Sequence, residues 1–264
     1  MSSASAHEAD ETLGARTRLA GEAVAIYGAI HLVGAYLAEN ASASAVVQAV
    51  ISEWGAGRMG IHWTSPHAPS PSRSVAQRAG LGAAIGISVA TLAVVLALVT
   101  GGAQFRSFQV NAITLLVSLV SALAFAVKSE LLLHGVVLRL LRGTRLAAPR
   151  VLAGALASVA AIALTAGTTP FDMAIAFLWG AVCTALWVKF DGAWEAWGAQ
   201  AAFLFATTSL YRGGIFDLRA SSSVWGGGER GIFGGGAALM VLTACAAAAF
   251  FSTVRGDRSV PSDA

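Results

Sequence analysis

The sequence predicts an all-α, polytopic transmembrane helix bundle of seven to eight spans. Of its 264 residues 56% are hydrophobic and only 12% are charged, whereas a soluble domain carries about 25% charged residues. Mean hydropathy is +0.69. The apolar residues fall into long, almost uncharged runs: 23–38, 79–105, 107–127, 151–171, 173–190, 196–211 and 231–254. Lipid offers a backbone no hydrogen bonds, so such runs must be helices or a closed barrel. Their lack of polar/apolar alternation excludes the barrel.

Residues 1–20 are polar, with Glu8, Asp10 and Glu11. They read as a disordered tail, because a signal peptide needs a basic start followed at once by an apolar core. Residues 21–254 form a single transmembrane domain, with spans expected near 21–38, 79–100, 109–127, 129–141, 150–167, 171–189, 193–211 and 232–252. The stretch 129–141 is too short to cross alone. It either continues the helix from 109 or forms a separate helix after a turn at Lys128 and Ser129. Residues 55–78 are rich in Ser, Pro and Gly and read as a long loop. The glycine-rich stretch 225–236 links the last two spans. It is not a nucleotide loop, since no strand precedes it and no Gly-Lys-Ser/Thr follows. Residues 255–264 form a polar tail.

Arg139, Arg142, Arg145 and Arg150 crowd one inter-helix loop, which places that loop, and by counting forward the C-terminus, in the cytoplasm. Counting backward, the charge is the same for one long helix or two, so the rule does not place the N-terminus. Trp187, Trp194 and Trp197 flank a helix turn and read as an interfacial belt. Cys183 and Cys245 lie in apolar helices and read as core thiols. The net charge of +3 needs no nucleic-acid partner, because the arginines sit at helix ends. The lipid bilayer is the expected environment.

The residue that stands out is Glu130, after an uncharged run from Ser107 to Val127. A carboxylate at membrane depth costs roughly 2.5–3.5 kcal/mol on insertion scales and is functional by default. The segment Ser129-Glu130-Leu131-Leu132-Leu133-His134-Gly135 resembles the Glu-Glu-x-x-Phe-Arg-Gly motif of the CAAX protease and bacteriocin-processing (CPBP) family of intramembrane metalloproteases. Residues 149–170 resemble the family's next helix, which ends in Phe-x-x-x-His. The segment from Phe177 through Lys189–Trp194 resembles its Gly-rich helix and turn, and 197–205 fall where the family has His-x-x-x-Asn. The similarity covers roughly 109–236, with the order and spacing of the helices kept.

The resemblance implies metal-assisted proteolysis within the membrane, with a zinc-like divalent metal. Carried over by position, Ser129 replaces the first motif glutamate, Glu130 keeps the second, and His134 replaces the arginine. Ala161 and Thr165 replace the helix Phe and His, and Gln200 and Leu204 replace the last His and Asn. Catalytic zinc takes about three protein ligands from His, Cys and carboxylates, and at these positions one carboxylate survives. The chain is therefore expected to be a degenerate, metal-free relative that binds another membrane protein or a lipid-modified peptide. Two alternatives stand beside it: an active endopeptidase with altered ligands, and a small transporter or channel with Glu130 in a relay. Glu130 and His134, the candidate catalytic pair, are four residues apart and share a helix face. The reading weighed highest for them is a hydrogen-bonded packing pair, joined by Gln200 from a facing helix. A rebuilt metal site would need a third ligand such as His31. Lys128 is expected to snorkel or to pair with Glu130. A serine hydrolase built on Ser129 is disfavoured, because no His or Asp is spaced to activate it.

Overall fold

Helix α1 runs Ser3–Tyr36 and α2 runs Ala41–Arg58, ahead of α3 at Val75–Val99. The computed structural model describes residues 3–64, 73–144, 146–163, 167–212, 215–221 and 223–257. After α3 come strand β1 (Ala103–Phe108), α4 (Ala112–Lys128), a π-helical turn (Ser129–Gly135) and α5 (Val136–Leu140). Then follow α6 (Ala147–Ala163), α7 (Pro170–Phe190), α8 (Trp194–Phe205), a second π-helical turn (Ala206–Leu210), strand β2 (Phe216–Ala220) and α9 (Gly236–Asp257). Among the described residues five helical segments are long and apolar enough to cross a membrane: Leu13–Tyr36, Val75–Val99, Ala112–Leu140, Pro170–Phe190 and Gly236–Arg255. The outer face of α4 exposes Ile113, Leu116, Val117 and Val120, as a lipid-facing helix does.

Helix starts follow local chemistry. Asn40 accepts from the Ala43 N–H at 3.0 Å, and Asn111 from that of Thr114 at 3.1 Å. Ser74 with Gln77 forms a capping box at α3, and Thr169 with Asp172 forms one at α7, where Pro170 opens the helix.

Small residues set the packing. Gly82 and Gly86 on α3 lie against α8 so closely that a Cβ on either would fall 1.9 Å from the Glu195 carbonyl oxygen and 2.2 Å from that of Ala199. This is a Gly-x-x-x-Gly contact, in which two backbones touch. Helices α6 and α7 mesh likewise. Gly154 faces Thr184, and Gly180 faces Ser158. At the head of the α3–α8 contact, Arg78 grips Glu195 with two hydrogen bonds, Nε to Oε1 at 2.8 Å and Nη2 to Oε2 at 2.9 Å. Arg78 also donates to the Phe190 carbonyl at 3.0 Å. Both side chains are buried.

The helices run in alternate directions, and the charges separate accordingly. Arg58, Arg73, Arg78, Arg139, Arg142, Arg150, Lys189 and Arg255 gather at one end, where Arg16 also reaches Gly143. Arg106, Arg212, Arg219 and Arg230 lie at the other.

Several expectations are corrected. Residues 3–20, read from the sequence as a disordered tail, fall within α1 (Ser3–Tyr36), and near their end Arg18 pairs with Glu22 at 3.1 Å. Residues 1–2 and 258–264 lie outside the described residues, and the C-terminal tail is helical to Asp257. Helix α2 was not expected, and the loop placed at 55–78 is shorter, since α2 reaches Arg58 and α3 begins at Val75; 65–72 lie outside the described residues. The chain is not purely α. Strands β1 and β2 pair antiparallel, Ala103 with Ala220 and Phe108 with Phe216, with a register shift between Phe105 and Ser107. Of the two readings of 129–141, the structure has the continuous one: α4, the π turn and α5 form one helix over Ala112–Leu140.

The tryptophans at the α7–α8 turn pack against the protein. Trp187 is buried, Trp63 stacks on Trp194 with centroids 4.5 Å apart, and Trp197 donates to the Leu123 carbonyl at 3.1 Å.

Candidate functional site

The π-helical turn projects Glu130 and His134 inward, and both are buried. A π turn inserted in an α-helix is rare and frequently marks a functional position. Nδ1 of His134 meets Oε2 of Glu130 at 2.9 Å, and Nε2 meets the Ser158 hydroxyl of α6 at 3.0 Å. With the imidazole proton on Nδ1 and donated to the carboxylate, Nε2 is an acceptor and the Ser158 hydroxyl donates to it. That hydroxyl also stands 3.2 Å from the Gly154 carbonyl, so one proton is contested by two acceptors. Oε1 of Glu130 is buried with no hydrogen-bond partner.

Helix α7 supplies the facing wall. The Cys183 thiol is fully buried, adjoins the Glu130 carboxyl and donates to Oε1 of Gln200 at 3.4 Å. The Trp179 indole N–H donates to the same oxygen. Trp179 in turn stacks on Phe203, with centroids 4.1 Å apart. The cluster thus joins four helical elements through the chain Ser158–His134–Glu130, with Cys183 between Glu130 and Gln200.

Of the residues singled out in the sequence, Glu130, His134 and Gln200 are brought together. Gln200 does not bond the pair itself; Cys183 stands between them. Ser129 is half-buried beside the pair in sequence. Leu204, one turn past Gln200, is half-buried and brings no polar side-chain atom. Thr165 lies outside the described residues. His31 is not part of the cluster: it is exposed on α1, edge-on to Tyr27 at 4.7 Å. Lys128 pairs with Gln48 of α2, not with Glu130. Its Nζ donates to Gln48 Oε1 at 2.9 Å and lies 4.7 Å from the centre of the Phe125 ring. Cys183 and Cys245 are both free thiols.

Ser158 and Trp179 were missed, and Cys183 was read only as a core thiol. The usable signal was the matched spacing of Gly154-x-x-x-Ser158 and Gly180-x-x-x-Thr184, which brings two helices together along small residues.

The residues present do not fit the metal that the resemblance implies. Among the described residues no three His, Cys, Asp or Glu side chains converge as a metal group. The one histidine of the cluster already has a partner on each ring nitrogen. Compared with known proteins, the chain matches no family model, no curated protein and no solved structure.

Proposed function

We propose that the chain is an integral membrane protein that acts by binding a membrane partner or a lipid-modified peptide. In this reading it is a catalytically degenerate relative of the CPBP intramembrane metalloproteases, and Glu130 and His134 are kept as a packing pair. The observation that carries it is the engagement of both His134 ring nitrogens within the protein. A ligand imidazole needs one nitrogen free for metal.

The proposed topology has eight crossings, with α2 counted and α4–α5 taken as one. Both termini then fall on the arginine-rich side, which the positive-inside rule assigns to the cytoplasm. The test is metal content together with cleavage of prenylated and unmodified peptides by the purified protein. We expect no stoichiometric metal, no chelator-sensitive cleavage, and saturable binding of the prenylated peptide. One equivalent of metal that disappears in Glu130→Ala, with cleavage that chelator abolishes, would overturn the proposal.

One observation favours a second reading. Glu130, His134 and Ser158 are connected in the order acid, imidazole, hydroxyl that activates a serine nucleophile. Against it, the hydroxyl is shared with the Gly154 carbonyl and packed onto Gly180. Covalent labelling of Ser158 by a fluorophosphonate, lost in His134→Ala, would establish this reading in place of the first.

A further inference from the structure

Midway along the helix Ala112–Leu140 stands the ammonium of Lys128. Its side chain does not run toward the nearer, arginine-rich end, as that of a snorkelling lysine would. It leans back over the Phe125 ring, one turn toward the opposite end, and donates to Gln48 Oε1 of α2 at 2.9 Å. Gln48 is buried and its amide nitrogen donates to Ser44 at 2.8 Å, which holds Oε1 toward the lysine. An ammonium has three donors and a full charge. Among the described residues it meets one acceptor, a neutral amide, and no carboxylate: the ion pairs there are Arg18–Glu22, Arg78–Glu195 and His134–Glu130. Lys128 is half-buried and Phe125 is exposed, so the α2–α4 seam is open beside the ammonium.

We infer that this seam binds a transmembrane helix of another protein, through a carboxylate that the helix carries at bilayer depth and that pairs with Lys128. A charge inside a membrane is costly, and as a rule it is paired. Gln48 orients the ammonium without neutralising it, and two of its N–H groups are left for an incoming carboxylate. The depth selects the kind of partner. Lys128 stands roughly 24 Å and 18 Å along the axis from the two ends of its helix at 1.5 Å per residue. Lipid headgroups lie at the interface, so a carboxylate at this depth must be carried by a spanning helix. A second copy of this chain offers no such group among the described residues. Glu130 and Glu195 are held by His134 and Arg78, Glu22 by Arg18 and Glu53 by the Trp63 indole, while Asp172 caps the start of α7. The inference rests on the reading of the chain as one that binds a membrane partner, and it names that partner's chemistry. It uses neither Glu130 nor His134.

The test uses the full chain in liposomes with synthetic Leu/Ala transmembrane peptides that carry Glu, Gln or Lys at their centre and a photoreactive diazirine one turn away. Crosslinked peptide is counted and its position mapped by mass spectrometry. We expect the Glu peptide to be captured over the Gln peptide by about tenfold, the order set by interhelical polar contacts in model peptides. The crosslinks should map to α2 and α4, and the Lys peptide should be captured least. Lys128→Met should abolish the preference and Lys128→Arg should keep it. Lys128→Glu should transfer it to the Lys peptide, a gain that a misfolded variant would not show. Equal capture of the Glu and Gln peptides, or a preference that survives Lys128→Met, would overturn the site. Self-association of the chain without peptide, lost in Lys128→Met, would overturn another protein as the partner in favour of a second copy. Chelator-sensitive cleavage beside an intact Lys128-dependent capture would remove the degenerate-enzyme reading and support this site.

Discussion

Glu130 has one oxygen bonded to His134 and one buried and bare. Each member of the pair therefore depends on the other, and removing one strands its partner in an apolar place. Leaving a buried polar group unpaired costs about 1–3 kcal/mol, more if it is charged. Glu130→Leu and His134→Leu should each lower the melting temperature in detergent. Since paired polar groups can be replaced together by apolar residues at little cost, the double variant should recover part of the loss. Single variants as stable as the parent but lacking a cellular activity would assign the pair to function and not to packing. Arg78 and Glu195 are a stronger case of the same dependence, because the pair is bidentate and buried at the head of two helices. Breaking a buried ion pair from one side costs roughly 3–5 kcal/mol. Glu195→Leu should thus be among the most destabilising single changes, and Arg78→Met/Glu195→Leu milder than Glu195→Leu alone. Urea or thermal melts in one detergent would decide between these orders.

At the scale of elements, α3 and α8 have no room between them. A side chain at Gly86 would meet the Ala199 carbonyl and the Phe203 amide. Overpacking of this kind costs about 1–3 kcal/mol, so Gly86→Leu should lower the melting temperature. Gly80→Leu, where a Cβ meets nothing within 4 Å, should not. Equal effects of the two would argue against the helix contact described. The apolar runs were legible as helices because nothing else satisfies their backbone in lipid. Helix α2 was not legible, for a physical reason. Its inward face carries Ser44, Gln48 and Ser52, which resemble loop residues in the sequence. They are buried because they bond to one another and to α4: Gln48 donates to Ser44 at 2.8 Å, Lys128 donates to Gln48, and Ser42 pairs with Ser121 at 2.9 Å. The strand pair was hidden for the opposite reason. Its residues, 103–108 and 216–220, are far apart in sequence, and each is too short to signal alone. In the cluster, the i,i+4 spacing made the Glu130–His134 pair readable. Ser158 and Cys183 reach it only through tertiary packing.

At the scale of the whole molecule, the backward charge count gives the same total for either number of crossings, and the proposed topology, which counts α2 as a crossing, places the N-terminus on the arginine-rich side. Cysteines placed at Gly143 and at Gln104, on opposite ends of the bundle, should label oppositely with an impermeant maleimide in intact cells. A reporter fused to either terminus should read the cytoplasm. Opposite readings from the two termini would require an odd number of crossings and remove α2 from the count. The continuous helix over Ala112–Leu140 carries a different consequence. Its 29 residues extend about 43 Å at 1.5 Å per residue, whereas a typical hydrocarbon core is about 30 Å thick. In a bilayer of that thickness the helix must lean or protrude, and its lean is fixed by the helices it packs against, α2 and α8. The depth of the Glu130 turn is thereby tied to that packing, so a thinner or thicker bilayer has to deform around the bundle and not the reverse.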